Sequence, residues 1–295
     1  MGKQQSLQVD KPGRLDKRLA GKVELSRSSL QQLIDSGQVT VNGETVTDKS
    51  HAVRAGDTIE IDFTDSDPRD DTITAEKGPL SVLLEDPELL AVFKPSGMVV
   101  HPNAHTSSGT LLNRLLYHYP DLEGLDRAGL VHRLDKGTSG VLLVGRSQGS
   151  VRNLKQQFKD RSVNKRYRAI LGAGIDDENI RIEVPIDRDP NNPVLRRAHP
   201  EGKCAVSEFT VRGCREDTSA VICRPLTGRT HQLRVHANHL NAPVVGDEKY
   251  NGPTAERLML HAEAVEFNHP TSNERLTVES DPPREVETRW QEICG

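Results

Sequence analysis

Apolar positions along this chain fall into two rhythms, one helical and one alternating. Leu30, Leu33 and Ile34 keep helical spacing between Ser26, placed as an N-cap, and Gly37, placed to stop the helix. Val39, Val41 and Val46 then flank Asn42-Gly43, which predicts a hairpin with a type I′ turn. A short strand over 58–63 follows the Gly56-Asp57 turn, and a helix around 14–19 packs on the other side. Further on, a strand is predicted over 89–93, then a Lys94-Pro95-Ser96-Gly97 turn. A helix with Leu111, Leu112, Leu115 and Leu116 on one face comes next, halted by Pro120. Val141 to Val144 read as a fully buried strand, and Val151, Leu154 and Phe158 as the inward face of a helix whose Arg152, Lys155, Lys159 and Arg161 look to water or a ligand. Strands dominate afterwards, over 166–171, 180–184, 205–211 and 219–224, with a final pair near 257–264 and 275–278. Strands with a few helices and no regular βαβ alternation predict an α+β fold on a large, mostly antiparallel mixed sheet.

Between the two patterned regions, residues 64–79 are acidic, contain proline and lack periodicity, so they read as a linker. The expected organisation is a small module over 1–63, this linker, and a larger domain over 80–295. Hydrophobic residues make up 34% of the 295, with 23 glycines and 17 prolines, which suits a soluble globule rich in strands and turns. No apolar run approaches membrane-spanning length and the polar start MGKQQSLQVDK lacks a signal-peptide core, so the cytoplasm is the expected address. Cys204, Cys214, Cys223 and Cys294 make no CxxC pair and read as reduced thiols.

A net charge of −4 argues at first against a nucleic-acid partner, but the charge is uneven. Between Arg152 and Arg168 seven basic residues face one acid, Asp160, and from Arg224 to His236 there are three arginines and no acid. Affinity for phosphates follows local contacts and not the global charge. Such a run is more often a solvated helix face, so on its own it weighs little.

The candidate chemistry centres on VHRLDKGTSGVLLVGR, residues 131–146, where one carboxylate, Asp135, sits between basic side chains in a glycine-punctuated loop before a buried strand. That arrangement displays a nucleophile to an anionic polymer. A turn aspartate that merely caps backbone N–H groups is the plainer reading of the loop alone. His231, His236 and His239 share a short stretch, but their spacing is not a zinc pattern and no metal is expected. The chain has no dinucleotide fingerprint, P-loop or HExxH.

Two resemblances change the weight of these readings. RLDKRL, SRSSLQQLIDSGQVTVNG and AGDTIEI, in that order, resemble the S4 RNA-binding domain, which implies a basic face made by Arg14, Lys17, Arg27 and Ser28. KPSGMVVHP, HRLDKGTSG, KRYRAILG and LTGRTHQLRVH, with GDEKYNG and RLMLHA after them, resemble the RluA/RluD family of pseudouridine synthases. With an S4 module in front, the similarity is to its large-subunit ribosomal RNA branch, nearest the RluD type. Gly145-Arg146 stands where that pattern commonly has Ala-Lys, a change that keeps the charge.

The resemblance implies isomerisation of uridine to pseudouridine, a reaction that needs no cofactor, metal or energy source. Asp135 takes the role of nucleophile or base. Arg229 is its expected partner, since a guanidinium offsets the desolvation of a buried carboxylate. Tyr167 would stack on the target base and position or accept a proton, and Leu233 would support the other side of the ring. Arg133 would fill the gap left by the extruded nucleotide. His132, like His101, is expected to be structural or in contact with RNA. The expected partner is RNA, foremost large-subunit ribosomal RNA, with the chain acting as a monomer and no membrane involved. The alternatives are the same chemistry on transfer RNA, or a noncatalytic RNA-binding ribosome-assembly factor.

Overall fold

Asn42 and Gly43 both adopt positive φ, 52° and 83°, and so close the hairpin between the strands that flank them. The computed structural model in which this is seen describes residues 4–20, 22–23, 27–63, 73–103 and 106–295. Its chain separates into two compact units, Met1–Ile73 and Thr74–Gly295. In the first, β1 (Gln4–Gln8), β2 (Gly13–Arg14), α1 (Leu15–Leu19), α2 (Arg27–Asp35), β3 (Val39–Val41), β4 (Glu44–Thr45), β5 (Ala52–Val53) and β6 (Thr58–Asp62) follow in order. The sheet runs β1-β6-β3-β4, with β2 and β5 paired apart from it. Leu15, Leu19, Leu30, Leu33 and Ile34 of the two helices bury against Val39, Ile59 and Ile61. Gly37, at φ 76°, ends the second helix as the spacing predicts. Ser26 lies outside the described residues.

The larger unit comprises β7 (Ser81–Glu85), β8 (Leu89–Lys94), α3 (Leu111–His118), β9 (Ser139–Gly145), α4 (Gln148–Asp160), β10 (Asn164–Leu171), β11 (Asn179–Ile182), β12 (Ile186–Arg188), β13 (Arg196–Ala198), β14 (Ser207–Arg215), β15 (Thr218–Pro225), α5 (Gln232–His239), β16 (Leu260–Asn268), β17 (Arg275–Glu279) and α6 (Arg284–Cys294). Nine strands form one sheet in the order β11-β14-β15-β10-β16-β9-β8-β7, with β17 also on β16. Only β16 and β9 pair in parallel; the rest of the sheet is antiparallel. The fold is thus α+β on a mixed sheet.

The uninterrupted apolar run of β9 has a direct cause, since both faces of this strand are covered. Leu142 and Val144 pack with Leu111, Leu112 and Leu115 of α3, while Val141 and Leu143 pack with Leu154 of α4. A third core, around Ile170, Val221 and Trp290, lies at the other end of the sheet. Among the described residues, the β2–β5 pair and several further parts of the architecture fall outside the predicted elements. The others include β1, the edge strand β7, the β12–β13 hairpin and α6, all short or polar enough to lack a clear apolar period. Within the stretch read as a linker, residues 64–72 lie outside the described residues, and the later part is bound to the larger unit. Asn113 Nδ2 donates to Thr74 O at 2.7 Å, the Glu76 N–H donates to Asn113 O at 3.0 Å, and Arg114 Nη1 donates to Pro79 O at 2.9 Å. The larger unit therefore begins at Thr74, upstream of Leu80.

Candidate active site

Asp135 stands at the start of a turn leading into β9, where the Thr138 N–H donates to its carbonyl at 3.1 Å. The Lys94–Gly97 turn holds that loop from behind. Ser96 Oγ donates to Gly137 O at 2.7 Å, and the Gly97 N–H donates to Lys136 O at 2.8 Å. Lys94, with no exposed surface, directs Nζ at the carbonyls of Pro95, Met98 and Lys136 at 2.8, 2.9 and 3.2 Å. Burial lowers this lysine to about 7, and the three carbonyls favour the ammonium form against that cost. What reads in sequence as an ordinary turn is a clamp under the Asp135 loop.

Opposite the loop, α5 supplies the partner of the carboxylate, and that partner is Arg234. Its Nη1 donates to Asp135 Oδ2 at 3.1 Å, while Nε and Nη2 grip Asp247 at 2.6 and 2.7 Å. Burial works against the charge on this guanidinium, and the two carboxylates outweigh it and raise its pKa. Arg229, the expected partner, instead donates from Nε to Cys204 O at 3.0 Å. The reason is local. Gln232 Oε1 accepts from Thr227 Oγ1 and from the Arg229 N–H at 2.6 and 3.0 Å, fixing the turn before α5, and Arg229 then lies along its outer side. Arg234 follows three residues after His231, the residue that caps α5, and shares its face of the helix. A second arginine in TGRTHQLRVH, at a buried helical position, was the available signal, since a buried guanidinium needs a carboxylate.

An open cleft of about 540 Å³ surrounds Asp135. Tyr167 and Lys165 reach it from alternate positions of β10, and Leu233, 6% exposed, reaches it from α5. Arg166 and Arg168, on either side of Tyr167, both bind Glu263, at 2.6 and 2.5 Å. Between Arg166 and Tyr167 the register against β16 shifts from Ala264 to Ala262, and this bulge sets the aim of Tyr167. Burial, aided by the nearby charge of Asp135, raises the Tyr167 phenol well above its usual range. At neutral pH the phenol is therefore uncharged. Burial lowers Lys165 to about 8; its Nζ donates to Thr227 O at 3.2 Å.

His132 lies in the wall of the cleft. Its Nε2 accepts the Leu143 N–H at 2.9 Å, its ring stacks on Phe158 with centroids 4.6 Å apart, and burial lowers it to about 3. Arg133, Lys159 and Arg161 are exposed and line the same cleft. Other members of the basic run are engaged internally, Arg166 and Arg168 on Glu263 and Lys155 on Asp126 at 2.5 Å. The grouped histidines also diverge. His236 binds Ser207 Oγ and Val184 O at 3.0 Å each, and His231 meets Tyr250. In the smaller unit Lys17 is exposed and Arg14 is partly offset by Asp16 at 2.9 Å; the side chains of Arg27 and Ser28 lie outside the described residues. Among the described residues all four cysteines are free, and no helix is long and apolar enough to cross a membrane.

A carboxylate held by an anchored arginine, sharing a cleft with a tyrosine ring and several basic side chains, is equipped for chemistry on a base or sugar of a polyanion. This chain belongs to the RNA pseudouridylate synthase family, whose model matches residues 88–239, and residues 13–59 match the S4 domain. It is an RNA isomerase with an appended RNA-binding module. The ribosomal large subunit pseudouridine synthase D of Xanthomonas campestris is 36% identical over 286 residues, covering 90% of this chain and 83% of that protein. An uncharacterized RNA pseudouridine synthase of Bacillus subtilis is 36% identical over 284 residues, covering 94% and 92%. Among solved structures, human RNA pseudouridylate synthase domain containing 1 superposes with a TM-score of 0.59 at 29% identity, over 70% of this chain and 86% of that one.

Proposed function

We propose that this enzyme converts uridine to pseudouridine in large-subunit ribosomal RNA, with Asp135 as the group that acts on the nucleotide. The observation that carries the assignment is the chain Asp247–Arg234–Asp135. Two charge-assisted bonds fix the guanidinium, and its remaining nitrogen fixes the carboxylate at the floor of a cleft edged by Arg133, Lys159, Arg161 and Arg229. The choice of large-subunit RNA rests on the S4 module and on the names of relatives such as that of Xanthomonas campestris.

In this reading the target nucleotide leaves its stack, Arg133 enters the gap, and the uracil lies between Tyr167 and Leu233. Asp135 serves as nucleophile at C1′ or as base beside the ring while the C1′–N1 bond breaks. The uracil turns, C1′ bonds to C5, the proton of C5 is lost and N1 gains one, so atoms and charge balance without an added reagent. Chemical mapping of pseudouridine across all cellular RNA, with and without the gene for this chain, tests the proposal. Specific sites in large-subunit RNA should vanish on deletion. Losses confined to transfer RNA would move the substrate, and an unchanged map would overturn the function.

A further inference from the structure

His231 stands at the entrance to α5 with its backbone in the left-handed region, φ 57° and ψ 19°, a conformation uncommon outside glycine. The side chain is 9% exposed, and Nε2 lies 3.9 Å from Asp135 Oδ2, too far for a hydrogen bond. Nδ1 lies 2.8 Å from the Tyr250 hydroxyl, and the two rings meet edge to face. The same hydroxyl accepts the backbone N–H of Arg196 at 3.0 Å. Arg196 belongs to the β12–β13 hairpin, whose Ile186, Leu195 and Ala198 pack with Val235 and Tyr250.

Proton bookkeeping selects one tautomer. Burial, with Arg234 nearby, holds His231 at about 4 against the opposite pull of Asp135, so the ring is neutral at physiological pH. The Tyr250 oxygen already accepts from Arg196, and its own proton has His231 Nδ1 as acceptor. Nε2 then carries the ring proton and faces the carboxylate. In the other tautomer two lone pairs would oppose each other across 3.9 Å and the phenol proton would lose its acceptor.

We infer that Tyr250 fixes His231 as the Nε2–H tautomer, and that His231 is a positioning residue which donates this hydrogen to Asp135 Oδ2 when RNA fills the cleft. Contacts of this kind often tighten only in the substrate complex. Oδ2 is then shared by Arg234 and His231, and Oδ1 is left to address the nucleotide. The inference builds on the role proposed for Asp135. It also ties the hairpin to the reacting group, through Arg196 and Tyr250.

The test joins nitrogen-15 NMR of the imidazoles in the full-length protein with single-turnover kinetics on ribosomal RNA. His231 is assigned by the signal that disappears in His231→Gln. The wild-type ring should be protonated at Nε2 and bare at Nδ1, and Tyr250→Phe should raise the population of the other tautomer. His231→Phe keeps a ring but no donor and should slow the bound-state rate roughly ten- to a hundredfold, the worth of one hydrogen bond to a charged group, with RNA affinity unchanged. His231→Gln restores an N–H and should recover most of the rate. An Nδ1–H ring in the wild type, a normal rate in His231→Phe, or equal losses in the Phe and Gln variants would overturn the inference. A wild-type chain that isomerises no RNA would overturn the functional reading instead, while the NMR result would still judge the tautomer.

Discussion

Arg229 and Arg234 occupy one motif and do different work, and only the second touches Asp135. Arg234→Lys should therefore be severe, because an ammonium cannot bind Asp247 through two nitrogens and still reach Asp135. Single-turnover rates should collapse while RNA affinity changes little. Arg234→Ala should also destabilise the fold by roughly 3–5 kcal/mol, since two carboxylates lose their shared cation, as urea unfolding would reveal. Arg229→Lys should alter affinity more than rate; a rate loss matching that of Arg234→Lys would mean the two roles are assigned the wrong way round. Asp135, Tyr167 and Leu233 could be placed in one cleft from motif positions alone. The choice between two arginines could not, because it depends on how Gln232 fastens the turn before α5.

At the scale of elements, the meeting of β9 with β16 positions Asp135. Gly140 has φ 126° and faces Ala262 across the parallel pairing, so a Cβ there would press onto the Ala262 carbonyl oxygen. Gly140→Ala should cost roughly 2–5 kcal/mol through strain and overpacking, measured as a lowered denaturation midpoint. A midpoint equal to that of the wild type would show that the two strands are free to separate. The apolar runs of β8, β9, α3 and α4 were legible because each has a strong period or two buried faces. The β12–β13 hairpin was not. Its exposed sequence is rich in arginine, asparagine and proline, and it is held by a few neighbours such as Ile186 and Ala198 with Tyr250. Helix α6 was hidden in an acid-rich tail, although Val286 and Trp290 form its buried stripe.

The whole molecule combines a binding module with a catalytic unit, and the two should separate in function. A chain beginning at Thr74 keeps the hydrogen bonds of Thr74–Pro79 with α3. It should still isomerise at high enzyme concentration, with weaker binding and a salt slope lower by about one unit for each phosphate that the smaller unit no longer neutralises. Unaltered affinity and salt slope would remove Arg14 and Lys17 from the RNA surface. Stability should depend on acid in a definite direction. His101, His132 and His231 lie at about 4, 3 and 4 in the folded chain against an ordinary 6.5, each lowered first by burial. Below 6.5 the unfolded chain binds more protons, so stability falls as pH drops towards 4, by at most about 1.4 kcal/mol per pH unit for each ring. Urea midpoints that stay level between about pH 7 and pH 5 would contradict these buried neutral rings. If Asp135 performs the chemistry while the rest of the molecule delivers RNA to it, Asp135→Asn is the decisive variant, since it removes the carboxylate and little volume. Its single-turnover rate on large-subunit ribosomal RNA should fall to background while RNA affinity stays within a few fold of the wild type; measurable turnover, once deamidation back to aspartate is excluded, would contradict the account.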